Sequence, residues 1–159
     1  MAQFLFLEEN RRQFEQVKQC LQERGHKAWQ ADKAASAFDF LSQYGVDVII
    51  SAINLENSDV FEFLRRVKES EKLKKIPVVF FCADEELGQR YATAVITKAG
   101  KTLGARKYIL LPQFDGNRFW DELEECIPST AQKNDALGGE VKTYSMTEFA
   151  WTQSIRKAG

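Results

Sequence analysis

Neither sign of charge dominates this chain: 22 lysines and arginines stand against 23 acids, for a net charge of −1. The attraction on which sequence-independent nucleic-acid binding rests is therefore missing. Histidine occurs once, as His26. It lies before a polar stretch, with no Cys, Ser or Asp motif around it, and reads as a solvated surface side chain rather than a catalytic base. The three cysteines, Cys20, Cys82 and Cys126, are odd in number and far apart. They form no CxxC pair for zinc and read as reduced, mostly structural thiols. No apolar run reaches membrane-spanning length, and the first residues turn charged at Glu8, so neither a membrane anchor nor a signal peptide is expected and the expected compartment is the cytoplasm. A Gly-rich phosphate loop is also missing. Ala99-Gly100-Lys101-Thr102 resembles the tail of one, but Val95 stands where the loop needs its first glycine, and the segment ends a helical pattern instead of opening one.

What the chain has is apolar material. Apolar residues make up 44% of it, and phenylalanine alone supplies 12, enough for a packed core. The organising stretch is Val46–Leu55, VDVIISAINL. Its consecutive β-branched residues predict a strand covered on both faces, as in a parallel sheet between helix layers. In such sheets ligands sit past the carboxyl ends of the strands, here near Ser51, Ala52 and Ile53.

Read in order, Gln3–Leu7 is a first strand. Asn10 then caps a helix, with Gln13 placed to complete a capping box, Phe14, Val17, Cys20 and Leu21 on its inner face, and Gly25 as its stop. Residues 26–31 form a second, more polar strand suited to a sheet edge. Asp32 is the candidate cap of a helix carrying Ala35, Phe38, Leu41 and Tyr44 inward, and ended by Gly45. After the central strand, Ser58 or Asp59 opens a helix with Phe61, Leu64 and Val67 inside. Residues 72–75 read as a solvated turn and 76–82 as a fourth strand. A long fourth helix follows from Ala83-Asp84-Glu85-Glu86 through residues 90–102, with a break expected near Gly100. Residues 107–111 form a fifth strand. Phe119, Trp120, Leu123 and Ile127 mark a fifth helix terminated by Pro128.

Five βα alternations predict a three-layer α/β/α sandwich: a flavodoxin-like, five-stranded parallel sheet with right-handed crossovers and order 2-1-3-4-5. The domain spans residues 1–128. Residues 129–159 read as a polar linker and a short helical tail, with a capping box at Ser145 and apolar Phe149, Trp151 and Ile155. Trp29 and Trp120 read as packing, and Trp151 as packing or an interface anchor.

Four strand ends, FLFLEEN, VDVIISAINLENSDVFEFLRRVKE, IPVVFFCADEE and GARKYILLP, resemble those of the receiver domain of two-component response regulators. The resemblance implies a job for each position. An acidic pair after the first strand holds Mg²⁺, an aspartate ending the third strand accepts a phosphoryl group, and a hydroxyl on the fourth strand and a lysine before the proline of the fifth contact its oxygens. By that correspondence the acidic pair is Glu8 and Glu9, the acceptor position is Ala52, the hydroxyl position is Cys82, the lysine position is Leu111, and the aromatic switch position is Tyr108. A methyl group cannot become an acyl phosphate, and leucine cannot neutralise an oxyanion. Ser51 cannot stand in, because strand alternation turns it to the opposite face.

The expectation is thus a degenerate receiver, a pseudo-receiver that is no enzyme and signals by binding a protein, such as a kinase or regulator, through its fourth helix, fifth strand, fifth helix and tail. A homodimer is among the expected assemblies, and the chain length implies no DNA-binding output domain. No cofactor is expected. Glu8 and Glu9 are the only candidates for an Mg²⁺ ion and lack the third carboxylate. Cys82 reads as inert, since nearby acids raise its pKa, and Tyr108 as fixed by packing. The alternative is a diverged receiver fold that binds a small ligand or metal, or is phosphorylated at a non-standard residue. An insertion between the fourth and fifth strands is a further candidate contact surface.

Overall fold

The computed structural model describes residues 1–84, 86 and 93–129. Strand and helix alternate throughout: β1 Gln3–Leu7, α1 Arg11–Gln22, β2 Lys27–Ala31, α2 Ala34–Gln43, β3 Val48–Ala52, α3 Val60–Glu69, β4 Val78–Cys82, α4 Thr93–Thr102, β5 Lys107–Leu110 and α5 Gly116–Glu124. All pairings are parallel and the order is β2-β1-β3-β4-β5, as the sequence predicts. β3 sits at the centre because every one of its residues is buried. Strand alternation divides the core into two layers. Leu5, Leu7, Ile49, Val78 and Phe80 pack with α2 and α3, while Phe4, Phe6, Val48, Ile50, Val79 and Phe81 pack with α1 and α5. The parallel register brings the ends of β1, β3, β4 and β5 to one edge, pairing Leu7 with Ser51, Ala52 with Phe81, and Cys82 with Leu110.

Caps account for most helix starts. Asn10 Oδ1 accepts the Gln13 N–H at 3.1 Å, Asp59 accepts from Phe61 and Glu62, and Asp115 accepts from Asn117 and Arg118. The expected capping box on α1 is only half formed, because the Asn10 N–H goes to Glu8 rather than to Gln13. Asp32 does not cap α2. Its carboxylate accepts the Ser36 hydroxyl at 3.1 Å, and the Ala34 N–H donates to Ser58 Oγ at 2.9 Å. In α2, Ser36, Ala37, Phe40 and Leu41 are buried, Phe38 and Tyr44 are partly buried against the core, and Ala35 is exposed. Phe38 lies half-buried against Phe63, with the Arg66 guanidinium 4.2 Å from its ring centroid.

In α3 the most buried aromatic is Phe63, and Phe61 lies half-buried over Phe80. The turn at residues 72–75 contains buried Leu73. Gly100 does not break α4. It lies inside the helix, where an added Cβ would come within 3.1 Å of the Phe80 ring. The stop comes at Gly104, whose φ of +103° suits glycine. The fourth helix does not open at Ala83-Asp84, which are not helical, while Glu86 is; Glu85 and residues 87–92, part of the expected helix and insertion, lie outside those described. α5 ends at Glu124, before Pro128, although Ile127 remains buried. The expected tail helix lies wholly outside the described residues.

His26 is not solvated. Its Nδ1 accepts the Ala2 N–H at 2.9 Å, and its ring stacks on Trp120 with centroids 5.0 Å apart. Arg24 lies near the same indole and donates to Asn117 of α5. Partners 24 and 94 positions away in sequence make this site, so local sequence around His26 carries no sign of it. Among the described residues, no helix is long and apolar enough to cross a membrane.

Candidate functional site

The strand ends enclose a cleft of about 170 Å³ lined by Glu8, Glu9, Asn10, Gln13, Ala52, Ile53, Asn54, Phe81, Cys82 and Asp84. Its floor is apolar, from the β3 and β4 ends. Its rim is acidic, and among the described residues no lysine or arginine lines it.

Glu8 leaves β1 at the rim and is only 6% exposed. Oε1 accepts the Asn10 N–H at 2.9 Å. Burial pushes its pKa up to about 7, against the pull of the Asn10 amide and with help from the Glu9 charge. Glu9 turns the other way, and both its oxygens accept the Glu56 N–H at 3.3 Å. The two carboxylates that sequence places side by side are thus each engaged with a backbone donor.

Ala52 ends β3 on the cleft floor, and its methyl offers no ligand or nucleophile. Ser51 is fully buried, does not line the cleft and donates its hydroxyl to the Ala52 carbonyl at 2.9 Å. Cys82 donates its thiol to the Asp84 carbonyl at 3.6 Å. Burial raises the Cys82 pKa, with the Asp84 and Glu8 charges adding to it, so the thiolate is disfavoured. The Tyr108 hydroxyl is buried beside this thiol without a well-formed hydrogen bond. Burial first, and then Cys82, push its pKa up to about 12. Leu111 does not line the cleft. It packs in the layer with α1 and α5, and its N–H donates to the Cys82 carbonyl at 2.9 Å.

The sequence therefore brings Glu8, Glu9, Ala52 and Cys82 to one cleft and leaves Leu111 behind it. Sequence reading missed Asp84 and Gln13 as lining residues, and Glu56 as the partner of Glu9. Asp84, two residues past a strand end, was the one with a local signal. An Mg²⁺ ion takes several oxygens in near-octahedral geometry. The pair's committed oxygens and the Ala52 methyl do not fit that demand, and among the described residues no group of three potential ligands converges.

The response regulator receiver domain family matches residues 4–110. A probable transcriptional regulator, ycf29 of Pyropia yezoensis, is 27% identical over 121 residues, covering 76% of this chain and 51% of its own length. This chain thus spans about half of that relative. Among solved structures, the chemotaxis response regulator CheY4 of Vibrio cholerae superposes with a TM-score of 0.69 at 22% identity, covering 80% of this chain and 99% of that one. The signal receiver domain of a histidine kinase from Syntrophus aciditrophicus gives 0.66 at 21% identity, covering 79% and 89%. At these identities the structures speak for the fold. The family match over most of the sheet, together with strand ends gathered at one cleft, establishes that this chain belongs to the response regulator receiver domain family of two-component signalling.

Proposed function

We propose that this chain is a pseudo-receiver, a signalling module that works without phosphoryl transfer and passes information by protein–protein contact. The observation that carries this reading is Ala52, a methyl group on the cleft floor at the end of the central strand. By family resemblance this is the acceptor position, and a methyl has no oxygen on which an acyl phosphate could form. The surroundings agree. Leu111 is 3% exposed and apolar, so this position supplies no cation to a transferred charge. The rim carries Glu9 and Asp84, and Glu8 with a pKa of about 7, a set of acids that opposes a phosphoryl dianion. Ser51 faces away from the cleft, and the Cys82 thiol is held protonated.

On this reading the chain is not an enzyme and uses no cofactor. Its partner is a protein of a regulatory pathway, such as a kinase or regulator, met in the cytoplasm. The contact surface is α4, β5 and α5 with residues 129–159, and a second copy of the chain is one occupant it would suit. The test is intact-mass measurement after incubation with a small-molecule phosphodonor and Mg²⁺. An unchanged mass is expected, and an added phosphoryl group overturns the reading. Co-purification from the native cells then identifies the partner.

A further inference from the structure

The segment between β3 and α3 is tied in three places. The Glu56 N–H donates to both carboxylate oxygens of Glu9, 47 residues earlier in the β1–α1 turn. Ser58 Oγ accepts the Ala34 N–H, 24 residues earlier, at the start of α2. Asp59 accepts the Phe61 and Glu62 N–H groups at the start of α3. The tie to α2 matters because Lys33, at that helix's N-cap position, makes no side-chain cap. One short segment therefore links the openings of α1, α2 and α3 just beyond Asn54 of the cleft lining. All three ties run between protein atoms.

We infer that residues 56–59 form a metal-independent crosspiece, and that Glu9 serves in it as a backbone clamp rather than as a cation ligand. A divalent ion at Glu9 would compete with the Glu56 amide for the same two oxygens. Ala52 has no oxygen to add to such a site, and Glu8 Oε1 already accepts the Asn10 N–H. Glu9, half of the acidic pair that by family resemblance would answer to a cation, here fastens the loop after β3 to the β1–α1 turn. This inference stands apart from the absence of phosphoryl transfer, because a chain that took up phosphate elsewhere could still be clamped in this way.

Amide exchange followed by NMR on the full chain tests it, in the wild type and in E9A, E9Q and S58A, with and without millimolar Mg²⁺. In E9A the Glu56 amide should exchange about fivefold faster, the ratio that corresponds to a hydrogen bond of ordinary net strength. In S58A the Ala34 amide should respond likewise. E9Q keeps a side-chain oxygen acceptor and should keep most of the protection at Glu56. Mg²⁺ should change none of these rates. Two results overturn the inference. One is equal exchange at Glu56 in wild type and E9A. The other is a saturable Mg²⁺ response of the Glu8, Glu9 and Glu56 resonances that is lost in E9Q. Should E9A unfold, the E9Q and Mg²⁺ arms still decide the matter.

Discussion

The amide of Asn10 donates to Oε1 of Glu8 at 2.9 Å, yet among the described residues no basic side chain lines the cleft that Glu8 enters. One backbone donor does not offset burial, and the Glu8 pKa stands at about 7 against an ordinary 4.5. The folded state therefore binds a proton that the unfolded chain has released. This contribution to stability is fully present below 4.5 and is lost as pH rises through about 7. Its ceiling is about 3 kcal/mol. Denaturant unfolding of wild type and Glu8→Gln across that window checks the sign: the variant should gain on the wild type as pH rises.

Restoring a carboxylate at the β3 end should not restore a working site. Ala52 is 4% exposed and shares the cleft with Glu8 and Glu9. In Ala52→Asp a fourth acid joins Glu8, Glu9 and Asp84, and among the described residues no lysine or arginine lines the cleft. A loss of about 1–3 kcal/mol at neutral pH is expected, smaller in mild acid, where the new group is protonated. Leu111 still offers no positive charge, so intact mass should remain unchanged after exposure to a phosphodonor. Denaturation at two pH values and mass measurement read both outcomes.

Gly104 closes α4 with φ +103°, and an added Cβ would lie 3.0 Å from Lys68 Cγ. Lys68 is itself tied down, with Nζ donating to the carbonyls of Lys74 and Ile76. Gly104→Ala should cost about 1–2 kcal/mol. Thermal and denaturant unfolding would show it. A neutral result would mean that Lys68 yields freely.

His26 carries the opposite sign to Glu8. Burial, the amino terminus and Arg24 all lower its pKa below 6.5. Its neutral form also accepts the Ala2 amide, which imidazolium cannot do. The stability it contributes is present above 6.5 and is lost as pH falls through its folded pKa. As the only histidine in the chain, it can be titrated by NMR without assignment, and its midpoint should fall below the ordinary value. In His26→Gln the stability lost on acidification should shrink.

The sheet was legible because its strands are buried on both faces, which puts β-branched residues at consecutive positions and makes the run unmistakable in Val48–Ala52. The candidate site was legible as far as the strand ends define it. What escaped reading depends on distant partners. The start of α2 was not legible because its first amide is capped by Ser58, 24 residues on, although Leu41, Phe38 and Tyr44 do pack toward the core as expected. His26 was taken as solvated because Trp120 and Ala2 lie far away in sequence. Glu9 looked like half of an acidic rim because its partner is a backbone amide 47 residues on, and a backbone amide leaves no mark in a sequence.

The Ser58 cap on Ala34 has a kinetic consequence. A helix with its start signal nearby can nucleate alone, as α1 can from Asn10. The Ala34 amide finds its acceptor only when β3 and the loop after it are in place. This cap is therefore a long-range contact, and it adds to α2 only in the assembled domain.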